Sequence, residues 1–142
     1  MGEGSDWAQR RREAFTAHTA AHHRQRAAET AQARELIADF VREMVRRGLP
    51  PARLRARVPG SRRTYRTNLS GWYLRRNRSL AVSVEADLYL LDTSRSLRAL
   101  LFAARIRPID PPLRVGVGAR DGESMPLERL LRQRLEAGRQ WD

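Results

Sequence analysis

The chain has 142 residues, a length that fits one ordinary domain and is too short for two well-packed ones. It contains no cysteine, which excludes disulfides, thiolate metal sites and thiol nucleophiles. The longest wholly apolar run, 99–104, is far too short to span a membrane, and no signal segment opens the chain, so we expect a cytoplasmic protein that has no membrane partner.

Residues 5–47 are predicted to form one long helix. Ser5 or Asp6 can cap its start, no Pro or Gly interrupts it, and Gly48 followed by two prolines ends it. At about 1.5 Å per residue this helix would be roughly 60 Å long. A compact domain of this size has a diameter of roughly 37 Å. The helix is therefore longer than the body on which it could pack.

Only the second half of this helix carries an apolar stripe with helical spacing. Its members are Ala33, Leu36, Ile37, Phe40, Val41, Met44 and Val45. In the first half, Trp7 and Phe15 are the only large apolar residues. We expect the second half to dock on the core, while the first half projects, bends back or pairs with a second copy of the chain.

After the helix, residues 49–70 are predicted to form a basic loop region, and 71–118 an antiparallel meander of three to five strands. The strands are expected at 72–74, 80–84, 88–91 and 113–117, the last at an edge, with turns at 75–78 and 85–87. Residues 97–106 fit a helix or a strand, and 124–137 fit a closing helix that ends at Gly138. The sequence thus predicts a single domain of the α+β class.

Charge is distributed unevenly along the chain, whose formal net charge at pH 7 is +12. All 28 basic residues are arginine, which we attribute to codon usage rather than to function. Residues 1–48 hold nine arginines and seven acids, whereas residues 49–80 hold nine arginines and no acid. Codon usage does not explain the missing acids, so the acid-free segment needs a physical reason.

We interpret the acid-free segment as a candidate surface for DNA, RNA or another polyanion. Arginines neutralise phosphates, and aromatic rings stack on unpaired bases. The candidate binding residues are Arg53, Arg55, Arg57, Arg62, Arg63, Arg66, Arg75, Arg76, Arg78, Tyr65 and Tyr73. The first three alternate with apolar residues, so a strand there would place them on one side. The other interpretation is that the arginines are solvated or pair with distant acids, and that Trp72 is a core residue.

No constellation of residues predicts catalysis, a metal site or a cofactor. His18 and His22 lie one helical turn apart but have no third ligand, and Asp110, Asp121 and Glu123 lack calcium-loop spacing. The chain has no lysine and no nucleophile elbow. We therefore predict a non-catalytic binding protein with little sequence specificity. The alternative is a protein-interaction or homodimerisation module that acts through the long helix.

Overall fold

The computed structural model describes residues 3–58, 60–92, 106–116 and 124–141. Its elements are α1 (Glu3–Arg46), β1 (Ala52–Arg57), β2 (Thr64–Tyr73), β3 (Leu80–Ser83), β4 (Leu88–Leu90), β5 (Arg114–Gly116), β6 (Ser124–Pro126) and α2 (Leu127–Ala137). This confirms the predicted α+β class, with a long first helix, an antiparallel sheet and a short last helix. Neither helix in the described ranges is long and apolar enough to cross a membrane.

The main sheet is an antiparallel meander in the order β1-β2-β3-β4, and β5 pairs with β6 in a separate two-stranded sheet. The meander curls, because the N–H of Arg57 at the end of β1 donates to the carbonyl of Leu91 just after β4, at 2.7 Å. The first and last strands thus meet at one end of the sheet. One face of the sheet packs on the helices, and a smaller apolar cluster covers the other face.

Four predictions are wrong in detail. The long helix begins at Glu3, so Ser5 and Asp6 lie inside it and do not cap its start. The basic region 49–70 is mostly strand rather than loop, since Leu54 and Ala56 alternate with arginines and are buried along β1. The closing helix begins at Leu127 rather than at 124, because Pro126 holds an extended backbone at the cap and keeps the residue before it out of the helical region. The predicted edge strand 113–117 pairs with β6 and does not extend the meander.

Several predicted features lie partly or wholly outside the described residues. Of the ambiguous segment 97–106, only Ile106 is described, and it belongs to neither a helix nor a strand. The carboxylates of Asp121 and Glu123 also lie outside the described ranges. The turns at 75–78 and 85–87 join β2 to β3 and β3 to β4, as predicted.

The second half of α1 docks on the core, as its stripe predicts. Phe40 meets Trp72 edge to face, with ring centroids 6.3 Å apart, and the indole N–H of Trp72 donates to the carbonyl of Leu49 at 3.1 Å. Trp72 is 2% exposed, which confirms it as a core residue. Val45, by contrast, is 64% exposed and does not belong to the buried stripe. The buried residues of α1 are Ala33, Ile37, Phe40, Val41 and Met44.

No residue from Glu3 to Gln32 is buried. At about 1.5 Å per residue, that part of α1 extends for roughly 45 Å. The helix ends as predicted, because Gly48 adopts a positive φ of 69° and the next N–H, from Leu49, returns to the carbonyl of Met44 at 3.0 Å. We refer to Glu3–Gln32 below as the projecting half of α1.

The last turn of α1 holds a pH-sensitive ion pair, and we predict its effect on stability. Hydrogen bonds from Arg46 and Arg47 lower the pKa of Glu43 from 4.5 to about 2. The pKa of the folded state is the lower one, so the pairing stabilises the fold above about pH 4.5 and the contribution disappears as the pH falls toward 2. We therefore expect Glu43→Gln to lose less stability than the native chain between pH 5 and pH 2, by an amount that solvent screening of this surface pair keeps small.

Urea denaturation of both proteins at several pH values in that window measures this effect. The difference in midpoint between the native chain and Glu43→Gln should be largest near neutral pH and should shrink on acidification. A constant difference across the window would contradict the prediction.

Candidate nucleic-acid interface

The β1–β2 hairpin arranges arginines on one face of the sheet. Arg53, Arg55 and Arg57 alternate with buried residues along β1, so the strand brings these three to the same side. Arg66 of β2 is the direct cross-strand partner of Arg55. Like charges placed opposite each other in a sheet are unfavourable by a few tenths of a kcal/mol up to about 1 kcal/mol. We call Arg53, Arg55 and Arg66 the arginine face.

The arginine face continues into a cleft of about 700 Å³, which lies between β1, the end of β2 and the residues that follow α1 and α2. Its volume is in the range of small-molecule binding sites. Five arginines line it, with no Asp or Glu among its described lining residues. We call this the arginine cleft; its arginines are Arg53, Arg55, Arg78, Arg134 and Arg139.

Within the described residues, Arg134 and Arg55 donate hydrogen bonds to neutral acceptors. Arg134 is only 8% exposed and donates to the carbonyls of Tyr73 and Gly138, both at 2.9 Å. Arg55 donates to the hydroxyl of Thr64 at 2.8 Å. Carbonyl and hydroxyl oxygens orient a guanidinium without cancelling its charge. Arg55 is thus held at the cleft by neutral oxygens, and no acid in the described ranges pairs with it.

The two candidate tyrosines lie in different places. The hydroxyl of Tyr73 accepts a hydrogen bond from the backbone N–H of Arg55 at 2.9 Å, beside the register shift in β1, and Arg78 lies 5.5 Å from its ring. Tyr73 therefore helps to position the arginine face. Tyr65 pairs with Ala56, so its side chain is on the opposite side of the sheet from Arg66. The structure does not bring Tyr65 to the arginine face.

The remaining candidate arginines do not all join the cleft. Arg57 forms an ion pair with Asp92, and Arg75 donates to the carbonyl of Gly116. Arg62 and Arg63 are exposed in the β1–β2 turn and make no ion pair within the described ranges. Arg76 lies 6.0 Å from the ring of Trp141. At Arg57 the structure thus shows the other interpretation, pairing with an acid that is distant in sequence.

Three charged or aromatic side chains of the cleft were not among the residues predicted from the sequence: Arg134, Arg139 and Trp141. Arg134 and Trp141 are in contact, with the guanidinium carbon 4.8 Å from the ring centroid. The sequence does contain a pattern that could have identified Arg134. It has the same helical spacing as Leu127, Leu130 and Leu131, which form the apolar face of α2. An arginine in such a stripe indicates a buried, hydrogen-bonded cation. Nothing in the sequence around Arg139 distinguishes it from other arginines.

The histidines of α1 do not form a metal site with the residues described. His18, His22 and His23 are all exposed on the projecting half of α1. No group of three histidine, aspartate or glutamate side chains in the described ranges is arranged to hold a metal ion.

Comparisons with known proteins give no relative from which a function could be transferred. No family model matches the chain, and neither a curated protein nor a solved structure matches it.

Proposed function

We propose that this protein is a small, non-catalytic nucleic-acid-binding protein that contacts phosphates through the arginine cleft and the arginine face. The observation that supports this most directly is the lining of the cleft, which includes the exposed arginines Arg53, Arg55 and Arg139 and no described carboxylate. The proposal requires no cofactor. The cytoplasmic location predicted from the sequence stays a prediction.

The chemistry of arginine favours phosphate as the ligand. A guanidinium is always charged at physiological pH and offers paired donors that match two phosphate oxygens. Each phosphate that an arginine neutralises also releases condensed counterions, which drives binding without regard to base sequence. Contacts to phosphate position a protein on nucleic acid and carry no sequence information themselves. We therefore expect low sequence specificity.

The test is a salt series on purified, nuclease-treated protein, because a basic protein can retain nucleic acid from its host. If about four phosphates are contacted, affinity should fall roughly 50- to 150-fold between about 50 and 200 mM salt. An oligonucleotide of mixed sequence with a fluorescent label is a suitable probe. Failure to bind it at about 50 mM salt, or binding that does not change with salt, would contradict the proposal.

A second candidate function is association with another protein chain through the projecting half of α1. Trp7 is 60% exposed and Phe15 is 72% exposed on this segment. Light scattering on the full chain and on a chain that begins at Ala31 tests for homodimerisation. A dimer that becomes a monomer on truncation would support it, and a monomer in both cases would exclude self-association.

A further inference from the structure

A second cavity, of about 540 Å³, shares the side chain of Trp141 with the arginine cleft. Trp141 lines both cavities and therefore forms part of the wall between them. Leu74, Met125 and Leu130 provide an apolar lining, and Asn77 and Gln133 contribute amide groups. We call this second space the amide cavity.

The ring of Trp141 is the surface that the two cavities share. It is partly exposed, with Arg134 at 4.8 Å and Arg76 at 6.0 Å from the ring centroid. A separation of 6 Å is the outer limit of a cation–π contact, and Arg76 is exposed. Arg76 therefore interacts weakly with the ring, and a planar group entering the amide cavity could replace it there.

The polar groups of the amide cavity suit the edge of a nucleobase. The side-chain oxygen of Asn77 accepts from the N–H and the hydroxyl of Ser79, at 3.0 and 2.6 Å. That pairing leaves the amide NH₂ of Asn77 as a donor. Gln133, exposed on α2, offers both a donor and an acceptor. An aromatic ring for stacking, with donors and acceptors nearby, is typical of sites that recognise unpaired bases.

We propose that the two cavities together bind one nucleotide of a single-stranded nucleic acid. Its phosphate lies in the arginine cleft, and its base stacks on Trp141 within the amide cavity. This inference rests on the proposed function and adds that the bound strand is unpaired. In a duplex the bases are stacked and paired, so they do not reach a ring inside a cavity, whereas an unpaired strand can turn a base inward.

The experiment compares a single strand with a duplex of the same sequence, each about 12 nucleotides long, a length within the range of known single-strand sites. We expect the native chain to bind the single strand at least about fivefold more tightly, which is the lower end of what one stacked base contributes. Trp141→Ala should lose this preference, so that it binds the strand and the duplex with similar affinity. The matched control is Trp7→Ala, since Trp7 is an exposed tryptophan that also contacts an arginine, Arg11, at 3.7 Å.

A second variant, Gln133→Leu, removes an exposed amide of the amide cavity without touching the core. It should lower single-strand affinity a few-fold and leave duplex affinity unchanged, and thermal melting shows whether each variant is folded. Equal binding of strand and duplex, unaltered in Trp141→Ala, would overturn this inference and leave the proposed function standing. Absence of binding to either probe at low salt would overturn both.

Discussion

Replacing Arg53, Arg55, Arg66 and Arg139 together by alanine is expected to weaken nucleic-acid binding on the order of a hundredfold at about 50 mM salt. All four are exposed. They come from three segments, β1, β2 and the residues after α2, which meet only in the folded chain. If each of the four contacts one phosphate, the plot of log affinity against log salt concentration should also become less steep. The magnitude of its slope should fall by about 3 to 4.

The same variant should remain folded. Arg55 and Arg66 face each other across the β1–β2 pair, so removing both relieves a like-charge contact. The loss of affinity is therefore attributable to missing phosphate contacts. Thermal melting alongside the binding titration checks this, and a large decrease in melting temperature would leave the proposed assignment of these arginines unsupported.

A matched control separates the position of the charges from their number. Arg10, Arg12, Arg24 and Arg26 lie exposed on the projecting half of α1, and replacing these four by alanine also lowers the net charge from +12 to +8. We expect this control to weaken binding only a few-fold, through the smaller overall field. An equal loss in both variants would mean that net charge, and not the arginine cleft, carries the binding.

Local signals were sufficient to predict most elements of the fold. The apolar stripe of α1 has a spacing that only a helix brings to one side, and Gly48 before two prolines marks its end. Turn residues between short β-branched and aromatic runs place β3 and β4. These signals act within a few residues, so no knowledge of tertiary structure was needed to interpret them.

Which residues belong to the candidate site could not be predicted in full, because this depends on contacts between residues that are distant in sequence. Arg134 donates to Tyr73, 61 positions earlier in the chain, and Arg57 is neutralised by Asp92. The acid-free segment can be found by counting charges along the sequence. The contacts of Arg134 with Tyr73 and of Arg57 with Asp92 cannot be found in this way. The position of Tyr65 depends on strand register, because a shift of one residue moves every side chain to the other face. The β1–β2 register contains an irregularity beside Arg55, which the sequence does not indicate.

We expect a second large effect, on stability, from a substitution at Gly71. This residue lies in β2, between the neighbouring strands β1 and β3. It pairs with Ala52 of β1 and with Ser83 of β3 and is buried. A Cβ at this position would overlap the carbonyl oxygen of Val82 and lie 2.8 Å from the Cα of Ser83. Both obstacles are backbone atoms of β3, so no side-chain rotation relieves the clash. We expect Gly71→Ala to reduce the free energy of unfolding by about 3 kcal/mol or more.

The control is Gly116→Ala in β5, because nothing lies within 4 Å of a Cβ built there. That substitution should change stability by less than about 1 kcal/mol. Chemical denaturation of both variants measures the difference, and equal midpoints would contradict the close approach of β2 to β3. Gly71 directly precedes Trp72, which packs on α1, and Tyr73, which packs on the smaller apolar cluster, and both line the arginine cleft. The fraction of Gly71→Ala that remains folded should therefore also bind nucleic acid more weakly. Gly116→Ala should keep the affinity of the native chain.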